Sequence, residues 1–149
     1  MSLVLVLKLI HVLAAIVAVG ANVTYAFWLR AAGRGQARLV FVIETVRRLD
    51  SRVANPAYGV LLVTGLLMVV TGQYDLRSGW LAAALVLYAA VAVLGIVLFA
   101  PAVRRQLAEA ERDPTTPAYE AAARRSSRLG VLTTAIVLVI VALMVLKPF

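Results

Sequence analysis

"LVLKLIHVLAAIVAVGANVTYAFWLR", residues 5–30, is almost wholly apolar, yet it carries Lys8, His11 and Asn22. A helix crossing a bilayer needs about 20 consecutive apolar residues, and this run supplies them. Three further runs follow: Tyr58–Thr71, Trp80–Ala100 and Leu129–Leu146. The second is short, but the mostly apolar stretch from Val53 to Ala57 extends it. The expected spans are about 3–29, 54–73, 79–100 and 128–147. Residues 1–149 then form a single integral membrane domain of the all-α class, a four-transmembrane-helix bundle.

Composition points the same way. Of 149 residues, 63% are hydrophobic and 15% charged, with a mean hydropathy of +0.95. A soluble domain is roughly half apolar, so lipid is the solvent this chain suits. It has no cysteine, which removes disulfides, thiolate metal sites and a cysteine nucleophile. A single histidine rules out the usual zinc ligand sets, so no metal site is expected.

The charge is +8, with 13 Arg and two Lys against seven acids, and its distribution is uneven. Residues 30–54 hold Arg30, Arg34, Arg38, Arg47, Arg48 and Arg52; residues 101–128 hold Arg104, Arg105, Arg112, Arg124, Arg125 and Arg128. The turn between the second and third spans holds only Arg77. Cytoplasmic loops are enriched in Lys and Arg, so both basic connectors are expected in the cytoplasm, with both termini outside. The basic groups flank apolar runs and form no nucleic-acid motif; the partner is the lipid bilayer, not nucleic acid. Lys8 lies inside the first run rather than ahead of it, so a retained span is expected there, not a signal peptide.

The connectors carry their own pattern. Residues 39, 40, 43, 46 and 49 are apolar at helical spacing, and Asn55-Pro56 then predicts a break. "VRRQLAEAERD" extends the third span, and Thr116 before Pro117 reads as an N-cap from which a helix runs into the fourth. Helices extended into the cytoplasm are therefore expected. Each half is a hairpin with Arg pairs before its outgoing span, a pattern that fits a duplication but that the positive-inside rule alone also predicts.

The polar groups of the first span share one face. At about 100° per residue, Asn22 lies about 20° from His11, Tyr25 about −40° and Lys8 about +60°. Ionisable groups within a membrane usually face the bundle interior and carry function. His11 to Arg30 spans about 28 Å, nearly the hydrocarbon thickness, so His11 falls near the outer edge and Lys8 beyond it. Two readings stand: a ligand or proton carrier, or an interfacial anchor. Asn22 suits a helix–helix hydrogen bond. Gly65 and Gly72 continue a seven-residue spacing from Tyr58, and Ala84, Tyr88, Ala92, Gly95 and Phe99 share a side of the third span; Gly65, Gly72 and Gly95 are expected to pack helices closely. Trp28, Tyr74, Trp80 and Phe149 stand at span ends, where an aromatic belt belongs. Met68 and Met144 read as core fillers that could also serve as axial ligands.

"LKLIHVLAAIVAVG", a basic connector, "NPAYGVLLVTGLLMV" and "GWLAAALVLYAAVAVLGIVLFAP" together resemble a bacterial family of predicted integral membrane proteins, a domain of unknown function. The K-x-x-H opening is distantly similar to copper-resistance D and HemJ-like (protoporphyrinogen oxidase) membrane proteins. That similarity implies haem b held by His11, with Lys8, Asn22 and Tyr25 on the same face. HemJ-like proteins also need a lysine on a later helix, and spans two to four of this chain hold none. One His with three Met and no Cys is a poor copper site.

Three function classes follow. The first is a non-enzymatic helical module that forms a homodimer or attends a membrane partner. The second is a haem-binding redox or porphyrin-related protein. The third, a transporter, wants a charge near the midplane, and none is present. The first is the expectation, without an assigned activity.

Overall fold

The computed structural model describes residues 2–33 and 35–148. Arg34 and Phe149, expected as connector charge and as a belt aromatic, lie outside the described residues. The fold is all-helical as expected. Four helices are long and apolar enough to cross a membrane: α1 (Leu3–Ala31), α2 (Gln36–Val70), α3 (Gly79–Arg112) and α4 (Pro117–Leu146). At 35 and 34 residues, α2 and α3 reach about 50 Å, well past a hydrocarbon core of about 30 Å. Their surplus length lies at the end of the bundle that carries the Arg-rich segments, called here the basic end.

Local chemistry sets the helix ends. Ser2 opens α1, its hydroxyl accepting from the Leu5 amide at 3.4 Å, and Thr116 opens α4 by accepting from the Tyr119 amide at 3.2 Å. Pro117 follows at the first helical position, where its missing N–H costs nothing. At the close of α2, Gly72 takes a left-handed φ of +75°. Its amide then reaches Val69 O at 2.9 Å and that of Gln73 reaches Met68 O at 3.0 Å, the pair of bonds that seals a helix end.

The break expected at Asn55–Pro56 is absent. Asn55 has ordinary helical angles, and α2 runs straight through. A π-helical turn over Asp50–Ala54 makes this workable: the Asn55 amide bonds to Asp50 O, one residue further back than in an α-helix. In a regular helix the ring of Pro56 would strike the carbonyl four residues back and leave it unpaired; the widened turn moves that carbonyl aside. The same device recurs in α3, where a π turn over Leu94–Phe99 ends with the Ala100 amide on Gly95 O, directly before Pro101.

The best-packed core lies at the basic end. Ala32, Leu39, Ile43, Val103, Leu107 and Ala110 form one buried cluster, with Tyr119 of α4 packed against it. Of the five apolar positions at helical spacing, Leu39, Ile43 and Val46 are buried, Val40 is half-buried and Leu49 is exposed. Gln36 joins the hairpins there by donating from Nε2 to Glu111 O at 2.8 Å and Ala110 O at 3.3 Å. Those carbonyls belong to the last turn of α3 and have no partner within the helix.

Towards the other end, α1 packs against both α2 and α4, and α3 packs along α4. Gly130 lies against Phe99, where an added Cβ would stand 3.4 Å from the ring. Gln106 and Ser126, both buried, hydrogen-bond across the α3–α4 contact. Most of the remaining surface of the spans is apolar and outward-facing, such as Val70 at 82% and Ile96 at 75% exposure. In lipid such surface carries no hydrophobic penalty. Trp80, expected as a belt residue, is buried, stacked edge-on against Tyr74 with Lys147 above both rings.

Candidate functional site

The polar face of α1 meets α2 along one seam and divides there into two clusters. His11 and Asn22 are separated by eleven residues, about 16 Å along the axis, so they do not share a site.

The first cluster is His11, Thr64 and Gly65. His11 Nδ1 lies 2.9 Å from Thr64 Oγ1. The threonine hydroxyl has one hydrogen, and it points to the carbonyls one turn back, Val60 O at 2.7 Å and Leu61 O at 3.3 Å. Thr64 therefore accepts from His11, which places the ring proton on Nδ1 and leaves the Nε2 lone pair free. Among the described residues Nε2 has no hydrogen-bond partner. Gly65 gives the ring its room: a Cβ there would lie 3.3 Å from His11 Cε1. Of the three glycines expected to pack helices, Gly65 alone does so, and against a side chain. At Gly72 and Gly95 nothing stands within 4 Å of an added Cβ. Gly72 closes α2 through its φ, and Gly95 lies in the second π turn. Lys8 is exposed, one turn nearer the helix start.

The second cluster sits nearer the basic end. Asn22 Nδ2 donates to the Tyr58 hydroxyl, and Tyr88 Oη donates to Tyr58 O at 2.7 Å, which ties α1, α2 and α3 together. The Tyr58 and Tyr88 rings meet edge to face at 6.5 Å. Tyr25 is 5% exposed, and its hydroxyl has no hydrogen-bond partner among the described residues. In the π turn of α2, before its apolar run, Asp50 accepts from Asn55 Nδ2 at 3.4 Å. Burial raises the Asp50 carboxyl above its ordinary range, and the Asn55 hydrogen bond opposes part of that rise.

Thr64 and Asp50 were not singled out from sequence, and Asn55 was read only as part of a break. Thr64 is a lone hydroxyl in an apolar run, and Asp50 an acid in an Arg-rich one. Neither stands out until the facing helix is known.

Asp50 gives a pH prediction. A carboxyl whose folded-state pKa is raised binds its proton more tightly in the folded protein. Its stabilising contribution is complete below the ordinary carboxylate pKa of about 4 and is lost as pH rises through the folded value. Asp50→Asn keeps the amide contact and removes the ionisation. Thermal melts in detergent at several values from about pH 4 to 8 should show the variant more stable than the wild type at the upper end, with a flatter profile. Parallel profiles would place Asp50 in water.

Among the described residues, no three His, Cys, Asp or Glu converge as a metal site would require. The family described as "Predicted integral membrane protein (DUF2269)" matches over residues 5–148. No curated protein and no solved structure matches the chain.

Proposed function

Because the chain belongs to the DUF2269 family of predicted integral membrane proteins, we propose a role and a place for it in the membrane. It is a non-catalytic helical module whose polar seam is structural. One observation carries this reading: three hydrogen bonds made by polar side chains inside the spans cross between helices. His11 holds Thr64, Asn22 holds Tyr58, and Tyr88 holds the backbone of Tyr58. Interhelical hydrogen bonds of this kind contribute about 1 kcal/mol each. The module lies in a bacterial inner membrane, with the basic end in the cytoplasm and both termini outside. Twelve arginines on one side against one on the other support that orientation. Its partner is a second copy or another membrane protein, met through the lipid-facing side.

A second reading is haem binding, favoured by the His11 tautomer. A ligating imidazole typically donates its far nitrogen to a fixed acceptor, as Nδ1 does to Thr64, and presents Nε2 to the iron. His11 would hold the group through Nε2. Asn22 and Tyr25 do not converge on it, so one chain supplies a single donor, and a homodimer would supply a second His11. Bound haem b would bring one-electron chemistry; the chain's part would be to hold the imidazole and fix its tautomer.

One preparation separates the readings. The protein is purified in mild detergent, and its visible spectrum is recorded oxidised and dithionite-reduced, beside His11→Ala. The structural reading expects no Soret band, before or after haem is added, and a lower melting temperature for His11→Ala. A Soret band that disappears in the variant would overturn it and make His11 an axial ligand.

A further inference from the structure

Two adjoining clefts open at the basic end between α3 and α4. The larger, of about 380 Å³, is lined by Leu98, Leu129, Arg124, Arg125 and Arg128; the smaller, of about 210 Å³, shares Leu98 and Arg125 and adds Arg105. Their walls are layered. The Gly130–Phe99 contact and the Gln106–Ser126 hydrogen bond set the level of α4 against α3. Leu98 and Leu129 stand together on the side of the apolar runs. Arg105, Arg124 and Arg125 stand together one to two turns, or about 6–10 Å, further out, and Arg128 lies between.

The charge there is largely uncompensated. Arg124 pairs with Glu120 at 3.2 Å, both exposed. Arg105, Arg125 and Arg128 have no carboxylate within salt-bridge distance among the described residues. Guanidinium groups one to two helix turns beyond an apolar wall match a phospholipid, with acyl chains along the leucines and phosphate at the arginines. Arginine suits phosphate because it presents several donors in one plane. Basic pockets between helices at the membrane boundary hold anionic headgroups in this way. Two clefts sharing one arginine match two phosphates on one molecule.

We propose that the α3–α4 clefts are a specific site for an anionic phospholipid bearing two phosphodiesters, gripped by Arg105, Arg125 and Arg128. Such a lipid would be a fixed part of the assembled protein, wedged between the helices of the second hairpin.

The test uses the full chain in a zwitterionic detergent, with cardiolipin as the probe. Binding is read by native mass spectrometry and by the rise in melting temperature on lipid addition. The wild type should take up one cardiolipin in preference to phosphatidylcholine. Arg125→Gln/Arg128→Gln should weaken that binding about tenfold to thirtyfold, from about one kcal/mol per arginine near an anionic surface. Arg47→Gln/Arg48→Gln removes the same charge from α2, outside the clefts, and should leave binding unchanged. Equal loss in both variants would reduce the effect to net charge and overturn the site. An equal response to inorganic phosphate would show an anion site with no lipid component, and an equal response to phosphatidylglycerol would refute the two-phosphate match. Lipid-free melts of each variant report folding separately.

Discussion

Ile43→Ala should destabilise the protein by about 3 kcal/mol, within the range for truncating a buried isoleucine. Ile43 is wholly buried in the cluster that joins α2 to α3 at the basic end, with Ala110 equally enclosed. In the spans, lipid can fill a void left on the outer surface. In this cluster the surroundings are protein on every side, and an uncollapsed cavity keeps its cost. For a chain of this size the loss corresponds to roughly 6–12 °C in melting temperature, read by a thermal scan in detergent. Phe41→Ala is the matched control: Phe41 is two residues away and 68% exposed, and its removal should shift the midpoint by little. Equal shifts for the two would mean that the cluster is not the stabilising core.

Gly65→Leu should cost about 2 kcal/mol, the usual scale for forcing a larger side chain into a filled space. A Cβ at this position already approaches His11 Cε1 to 3.3 Å, so the leucine branch must take the place of the imidazole. The ring leaves Thr64, and a buried hydroxyl loses its donor. Gly65→Ala asks the ring to yield only a few tenths of an ångström, and its cost should be smaller. The pair is coupled, so a double-mutant cycle decides the cause. In a His11→Ala background the leucine enters vacated space, and most of its penalty should vanish. A penalty that persists there would assign the effect to the backbone of α2 instead.

Much of the architecture was legible because lipid imposes simple demands. Apolar runs near 20 residues located the four long apolar helices, and the Thr116–Pro117 pair located the start of α4. Asn55–Pro56 was misleading, because the rule that proline breaks a helix assumes a regular α-helix. A π turn satisfies the same steric demand without stopping the chain, and periodicity does not announce it. The shared face of His11, Asn22 and Tyr25 was correct in angle and silent about depth, which separates the residues into two clusters. Gly72 and Gly95 looked like packing residues because spacing cannot distinguish a helix cap or a π turn from a contact. Thr64 draws its role from His11 of α1, and only tertiary structure supplies that neighbour.

The cluster at the basic end also dictates an order of assembly. Gln36 caps carbonyls that lie 74 residues later in the chain, and Leu39 and Ile43 bury themselves against Val103 and Leu107. During synthesis the first hairpin is complete long before these partners emerge. Until α3 arrives, the base of α2 presents bare Leu39 and Ile43 to water, and the half-made protein is recognisably unfinished. Closure of this cluster marks the point at which the two hairpins have found each other, so a chain that stalls after its second span leaves Leu39 and Ile43 without their partners.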